Sequence, residues 1–505
     1  MPKARPIISD TDEWLPLPLH GPFGGLNLRD DPRTLTNESP DLLNVDITED
    51  GIVKTDLGYT AEGTFSGSDV VTRVFAAYKS DGTKRLLRSR GTVIECRDGT
   101  GWTSIATGLT SGRVWDFVVA NDIVYMVNGV DTPRKWTFDP GTVSTTVAGI
   151  DNGTTIDFFN DRLWTAGNDA SKINYSALGD YENFAGGGDI ECWKKDGAGK
   201  IVALRHLGSR QIVYKERMKY SWSALTFSVL AFTPLGSQST TALRSIIQGT
   251  DGYHYFANRQ GAWRHRGYSQ DDYLSGVVEP EFYGMDQSKE SNLAGEWYQN
   301  EYWLAYTPSG QTVNTKVLRF KPRTGAWLLK DWPAACFCVF EQSDGKQQLI
   351  FGGSAGNSGT YKRYVDDAAA SYNHNGAAMS AYYVLPFKTP AGRHRRNRWK
   401  HLFYQFDAAT TQYFVKLGWR SSTLGGFREA LIDLAPDAER WALDGSLWQA
   451  TGKYWQGQDI IEGYLRGFTV TKARGLQFRV SHSGINQPFR FLGITPHHQP
   501  LEGFK

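Results

Sequence analysis

The stretch VWDFVVANDIVY, Val114 to Tyr125, sets the terms of the fold. Six mostly apolar residues, Val114–Val119, run into Asn121-Asp122 and out again through Ile123-Val124-Tyr125. Asn and Asp tolerate the left-handed backbone that a two-residue hairpin demands, and valines and aromatics favour extended chain, so this is strand, tight turn, strand. The same figure recurs. Asp81-Gly82, Asn160-Asp161, Gly208-Ser209, Asp251-Gly252, Asn300-Glu301 and Asp344-Gly345 are further turn signals, each followed by a β-type run such as Arg-Leu-Trp164 or Gln-Ile-Val-Tyr214. Apolar runs such as Thr155–Phe159 and Leu243–Ile247 lead into them, and segments such as Gly261-Ala-Trp263 and Val317–Phe320 follow.

Successive turns lie roughly 40 to 50 residues apart, the repeat of a four-stranded propeller blade. One meander cannot bury both faces, whereas a ring of them can. The expected fold is therefore all-β: a β-propeller of six or seven blades over residues 66–367, preferred to two stacked sandwiches because of the even spacing. Composition agrees: 13% of the 505 residues are aromatic, with 17 Trp and 24 Tyr, alongside 54 Gly. Most aromatics fall inside the periodic runs, which assigns them to packing between blades in preference to stacking on sugars.

The rhythm stops at Ala368-Ala-Ala-Ser. Long apolar runs follow: Trp399–Phe406, Tyr413–Trp419, Tyr464–Thr471 and Leu476–Val480. Residues 368–505 are expected to form a C-terminal β-sandwich, with Pro496-His-His-Gln-Pro as an extended terminus. Residues 1–65 carry Pro2, Pro6, Pro16, Pro18, Pro22, Pro32 and Pro40, which exclude long helices. This segment is expected to be an extended N-terminal arm, with one helical turn over Ser39–Leu43 and a strand within 20–60 given to a neighbouring subunit or to the first blade.

Charge narrows the function. Net charge is +2, from 55 basic and 53 acidic residues, too little for tight duplex binding, which needs a clustered basic excess. The one basic cluster, Arg393, His394, Arg395, Arg396, Arg398, Lys400 and His401, fits a charged edge strand or a protein contact better than nucleic acid. Cys336 and Cys338 are spaced to share a face of a strand and are expected, like Cys96 and Cys192, to be buried thiols. The adjacent His497 and His498 would face opposite ways and suit a single metal badly. Asp196-Gly-Ala-Gly-Lys200-Ile201 lacks the first glycine and the Ser or Thr of a phosphate loop. Asp271-Asp272 reads as a solvated turn. Asp116, Asp157, Glu216 and Glu301 are the carboxylates a glycosidase would draw on, with nothing to set them apart from structural charges. No catalytic residue, metal or cofactor is assigned. Residues after Met1-Pro-Lys-Ala-Arg-Pro6 lack the apolar core of a secretory leader, and no run approaches the ~20 apolar residues of a membrane helix.

The ends of the chain add a resemblance. Gly24-Gly25-Leu26-Asn27-Leu28-Arg29-Asp30-Asp31-Pro32, Leu42-Leu43-Asn44-Val45-Asp46, and Gly51 through Gly58-Tyr59 resemble the N-terminus of tail-nozzle (tail tubular B-like, packaged-DNA stabilisation) proteins of short-tailed bacteriophages. Ala473–Arg479 and Phe491-Leu-Gly-Ile494 resemble their last strands. The chain departs from the pattern where Asp56 follows Lys54, in a segment often basic. The resemblance implies a non-enzymatic virion protein, made in the host cytoplasm and placed in the tail. It implies a homo-oligomeric, hexameric ring below portal and adaptor that extends the channel for double-stranded DNA, helps retain the genome and anchors fibres or spikes. Leu26, Leu28, Arg29, Leu42, Val45 and Ile47 of the arm, and Arg393, Arg395, Arg396, Arg398 and Lys400 of the basic cluster, become the expected partner contacts. A receptor-binding or fibre-adaptor protein is the second reading, and a glycan-binding propeller or glycosidase the third.

Overall fold

The structure is a computed structural model that describes residues 14–65, 67–223, 232–267, 270–354, 359–390, 396–409, 411–422, 425–435, 460–465 and 468–501. Contacts divide the chain into two compact units, Leu57–Gly376 and a terminal unit of Met1–Asp56 with Ala377–Lys505.

Leu57–Gly376 contains seven four-stranded antiparallel sheets in chain order. The first has strands Val71–Tyr78, Lys84–Arg90, Val93–Asp98 and Gly101–Ala106. The leading strands of the next five are Asp116–Ala120, Thr155–Phe159, Ile201–Leu207, Ile247–Gln248 and Ala294–Tyr298. The seventh runs Ala334–Glu341, Gln347–Gly353 and Thr360–Arg363, and takes its fourth strand, Tyr59–Ala61, from the start of the unit. Each of the seven turn signals lies at the hairpin between the first and second strands of one sheet. Asn121 and Asp122 have φ of 46° and 61°, and Asn160 and Asp161 of 50° and 54°, as a two-residue hairpin of the twist-matched kind requires. At the sixth sheet the turn is Gln299-Asn300, with φ of 52° and 59°, one residue before the expected pair, and Glu301 already begins the next strand. Leu243–Ser245 is a short 3₁₀ turn where strand was expected, and pairing starts only at Ile247.

Consecutive sheets bury apolar side chains against each other. Leu87 and Ile94 meet Phe117 and Trp136, Tyr125 meets Ile156 and Leu163, Trp164 meets Val213 and Trp222, and Tyr214 meets Ile246 and Phe256. The ring of Tyr255 lies 4.8 Å from that of Trp297, and Trp303 packs with Phe337 and Phe351. Cys336 and Ile350 of the seventh sheet then pack with Val71 and Leu86 of the first. The succession of sheets thus returns to its start, a propeller-like arrangement. Trp136, Trp164, Trp222, Trp303, Trp327 and Trp332 are all fully buried in it, the packing role assigned to the aromatics.

The terminal unit has two sheets. One joins Ile460–Tyr464, Asn397–Asp407, Arg490–Pro500, Val53–Thr55 and Val45–Ile47, with Leu15–Pro16 and Leu19–His20 on Arg490–Pro500 and Thr469–Ala473 on Asn397–Asp407. The other joins Leu42–Leu43, Ala381–Val384, Gln477–His482, Phe414–Arg420 and Arg428–Asp433. Phe23 has its ring 5.7 Å from Tyr383 of the second sheet and 5.3 Å from Phe491 of the first.

Several expectations change here. The arm is strand-paired within its own chain: Val45 opposes Thr55, Val53 opposes Phe491, and Leu42 opposes Tyr383. The strand given away by the arm region completes the seventh sheet of the ring, not the first. Ser39–Leu43 is not helical, because the Ser39 hydroxyl bonds the Val384 carbonyl at 2.7 Å and fixes the segment beside a strand. Pro496–Pro500 is the end of an eleven-residue strand, not a loose terminus. Unit boundaries fall at 56/57 and 376/377, where 65/66 and 367/368 were expected.

Candidate functional site

Two places concentrate polar chemistry: the inner edges of the sheet ring, and the terminal unit where the motif-bearing segments lie.

In the ring, several leading strands carry a charged side chain within an apolar run, among them Arg73, Asp116, Arg205 and Glu296. Asp116 of the second sheet accepts from Arg205 of the fourth through two nitrogens, at 3.0 and 2.9 Å, and from the Thr155 hydroxyl of the third at 2.9 Å. Arg73 of the first sheet stands 3.9 Å from the same carboxylate. Burial alone would raise the Asp116 pKa, but Arg205 and Arg73 outweigh it and hold the carboxyl below the usual range. Arg244, just before the fifth sheet, donates to the Thr72 carbonyl of the first at 3.1 Å and to the Ser291 carbonyl at 3.3 Å. Glu296 of the sixth sheet has its carboxyl pushed up to about 7 by burial, partly offset by the Trp297 amide and by Arg73. The inner edges are thus tied to each other across the ring by side chains. Sequence reading singled out Asp116 but missed Arg73, Arg205, Arg244 and Glu296. Their shared signal is a lone charge in a mainly apolar run, as in VTRVFAAY and AGEWY.

A second polar group lies between the fourth and fifth sheets. The Gly267 amide donates to His265 Nδ1 at 3.0 Å, which leaves His265 Nε2 protonated. That N–H donates to the Tyr214 hydroxyl at 2.7 Å, Tyr214 donates to His254 Nδ1 at 3.0 Å, and His254 Nε2 donates to the His206 carbonyl at 3.1 Å. Every atom has a partner only while both rings stay neutral. Burial pushes His254 down to about 3 and His265 well below its ordinary value.

Of the other candidate carboxylates, Asp157 and Glu301 are engaged by partners. Asp157 bonds His206 at 3.1 Å and Gln211 at 2.9 Å, and its bond to His206 raises the imidazole pKa. Glu301 pairs with Arg319 and stands 3.7 Å from Lys321. Glu216 is half-buried near the Gly199 backbone. Asp271 pairs with Lys219 at 2.6 Å and Asp272 with Arg264 at 3.1 Å, so each acid of the supposed solvated turn has a cation. Asp196 bonds Lys215 at 2.8 Å and the Ala198 amide at 2.9 Å. No group of three or more potential metal ligands occurs among the described residues. All four cysteines are free and buried, and burial pushes Cys96 and Cys192 up to about 12. No helix among the described residues is long and apolar enough to cross a membrane.

In the terminal unit the motif residues do identifiable structural work. Asn27 accepts from the Asp30 amide at 3.1 Å and donates to the Asp30 carboxylate at 3.0 Å, closing the turn after Gly24-Gly25. Asn44 takes φ of 50° and donates to the Ser380 carbonyl at 2.7 Å. Gly51 has φ of 74°, and a Cβ there would lie 2.4 Å from Pro22. Of the arm residues expected to meet a partner, Leu26, Leu42, Val45 and Ile47 are buried within this unit, Leu28 is half-buried and Arg29 is exposed. In the basic cluster, Arg393 and Arg395 lie outside the described residues. Arg396, Arg398 and Lys400 are exposed, while Asn397 and Trp399 between them are buried. Arg398 and Lys400 lie on a strand interior to its sheet, paired on both sides, so their charges occupy a face and not an edge. His497 and His498 do face opposite ways: His498 is buried with its ring 5.5 Å from Trp399, and His497 lies 5.5 Å from the exposed Phe403.

No family model matches the chain, and no curated protein does. Among solved structures, the computationally designed Ika8 protein is similar at 13% identity and a TM-score of 0.40, covering 61% of this chain and all of that one. YCF48 bound to D1 peptide is similar at 14% identity and a TM-score of 0.36, covering 65% of this chain and 98% of that one. What the molecule itself defines is a class: an all-β chain in which a propeller-like ring of sheets is inserted in a two-sheet unit made from both termini.

Proposed function

We propose that this protein is a structural component of a short-tailed bacteriophage virion, a tail-nozzle subunit that works as a homohexameric ring below portal and adaptor. On this reading the seven sheets are the blades of a closed propeller and the terminal unit is a β-sandwich. The observation that carries it is the meeting of the two ends. The N-terminal and C-terminal segments that resemble nozzle proteins lie some 400 residues apart in sequence yet share one unit, with Val53 opposite Phe491. Their Asn and Gly residues hold the turns that make that unit.

The mechanism is mechanical. Side chains tie the inner edges of the ring across its middle, so DNA would pass along the axis of the hexamer and not through a single propeller. A lumen shared by copies of a nearly neutral chain lets duplex slide, because it offers few of the cation–phosphate contacts that each add affinity. Closed rotational symmetry requires a heterologous interface, with different surfaces meeting on each neighbour.

Immunogold labelling and electron microscopy of the phage particles whose genome encodes the protein test this. The expected result is a hexameric ring on the tail axis. Copies confined to the tail periphery would turn the assignment to a fibre adaptor, and absence from the particles would end the virion reading.

A further inference from the structure

The terminal unit carries an open cavity of about 220 Å³ lined by His20, Phe403, Tyr404, Gln405, Glu462, Ile494 and Thr495. It sits on the eight-stranded sheet, and the pairing register explains its form. Glu462 opposes Gln405, Gln405 opposes Gly493, and Gly493 opposes His20. Directly opposed residues point to one face, so these four make a row across four strands. Two residues along each strand the same face returns, and there Tyr464 opposes Phe403 and Phe403 opposes Thr495. One row is polar, the next mainly aromatic, and the glycine leaves a gap in the polar row.

Each member is fixed. Gln405 donates to the Glu462 carboxylate at 2.6 Å, and the His20 Nε2 and Thr495 hydroxyl lie 2.9 Å apart. A Cβ on Gly493 would fall 2.1 Å from His20 Nδ1, so His20 reaches across the strand only because that position has no side chain. Phe403 and Tyr464 are 46% and 39% exposed, with rings 4.7 Å apart and nearly perpendicular. His497 lies 5.5 Å from Phe403 and extends the ring surface.

We infer that this cleft binds a hexopyranose unit of a glycan. A pyranose has an apolar C–H face and a rim of hydroxyls, each both donor and acceptor. Exposed rings supply a surface for the first; a carboxylate, an amide, an imidazole and a hydroxyl in one neighbouring row suit the second. The volume lies below the roughly 300–1,000 Å³ of pockets for drug-sized ligands and matches one small ring. Glu462 contributes a single carboxylate bonded to Gln405, which fits recognition of hydroxyls and not bond cleavage. The inference is independent of the nozzle reading.

Saturation-transfer NMR on the full chain with glucose, galactose and N-acetylglucosamine, followed by a glycan array, tests it. Transfer concentrated on the C–H face protons of at least one sugar is expected. Phe403→Ala, at an exposed position, and Gln405→Ala, at a half-buried one, are each expected to weaken that binding at least tenfold with an unchanged thermal midpoint. No transfer from any of the three sugars and a blank array would overturn the inference, and so would binding that both variants leave intact.

Discussion

The two units of this molecule are built by opposite rules. In Leu57–Gly376 nearly every strand pairs with the next one along, through a short hairpin. In the terminal unit, strands near residue 50 pair with strands near residue 490, and Leu42 pairs with Tyr383. Among the described residues, the ring has one comparable long-range strand pairing, where Tyr59–Ala61 meets Thr360–Arg363. Local meanders announce themselves in a sequence by turn chemistry and spacing. Long-range pairs leave no such mark, and their loop-closure cost falls on the whole intervening chain.

The contrast breaks most visibly at the seam of the ring. Trp332 is fully buried among Tyr59, Trp303 and Phe351, joining sixth sheet, seventh sheet and closing strand. Trp332→Ala is expected to cost about 3–5 kcal/mol. Calorimetry of the full chain should show the ring transition moving down; a shift equivalent to less than about 1 kcal/mol would mean that the seam contributes little.

Across the ring's middle, Asp116→Ala leaves Arg205 without its carboxylate. The expected loss is again large, about 3–5 kcal/mol, because an uncompensated charge stays buried. Pairing the change with Arg205→Met should recover much of it, and a double variant as unstable as the single one would show that the ion pair is not the source.

Acid sharpens the comparison further. His254 stays neutral in the folded ring down to about pH 3, whereas in the unfolded chain it titrates near its ordinary value of about 6.5. Below that value the unfolded state takes up a proton that the folded state refuses, so stability falls as pH drops through this window. Glu296, raised to about 7, acts in the opposite direction between its ordinary value and 7, so the comparison needs a variant. His254→Gln should flatten the slope between pH 6 and 4 by about 1.4 kcal/mol per pH unit. Urea titrations at several pH values would measure it, and parallel curves for the two proteins would refute the buried-neutral assignment.

The smallest effect concerns the closing strand. Glu62 bonds Arg97 and Lys362, both at 3.0 Å. Glu62→Gln should cost about 0.5–1.5 kcal/mol and raise amide exchange over Tyr59–Ala61 before any other strand of the ring. Uniform exchange along the seventh sheet would count against a clasp there.

What could be read from the amino acids follows the same division. The hairpin between first and second strands of each of the seven sheets is legible in the sequence as Asp-Gly, Asn-Asp or a similar pair, with only the sixth displaced by one residue, because Gln299 adopts a backbone that Asn usually occupies. The terminal unit is legible as strands but not as a partnership. Nothing in Leu42-Leu43 or Val53-Lys54-Thr55 names a mate more than 300 residues away, and prolines made the arm look unattached. The basic cluster misled in a related way: charges on Arg398 and Lys400 suggested a strand edge, but alternation with buried Asn397 and Trp399 is equally the mark of an exposed face. The axial charges are not legible in the sequence, because one arginine in an apolar strand reads as noise until several strands are brought together.

The seam also brings the ring's beginning and end together. The Gly58 amide bonds the Ser371 carbonyl at 2.9 Å, and the Asn375 amide bonds the Tyr59 carbonyl at 2.7 Å. A polypeptide that leaves a body of three hundred residues beside its point of entry behaves as a cassette. Such a cassette lends itself to excision, to exchange for a ring of another size, or to circular permutation with new ends opened at an exposed hairpin such as Asp344-Gly345.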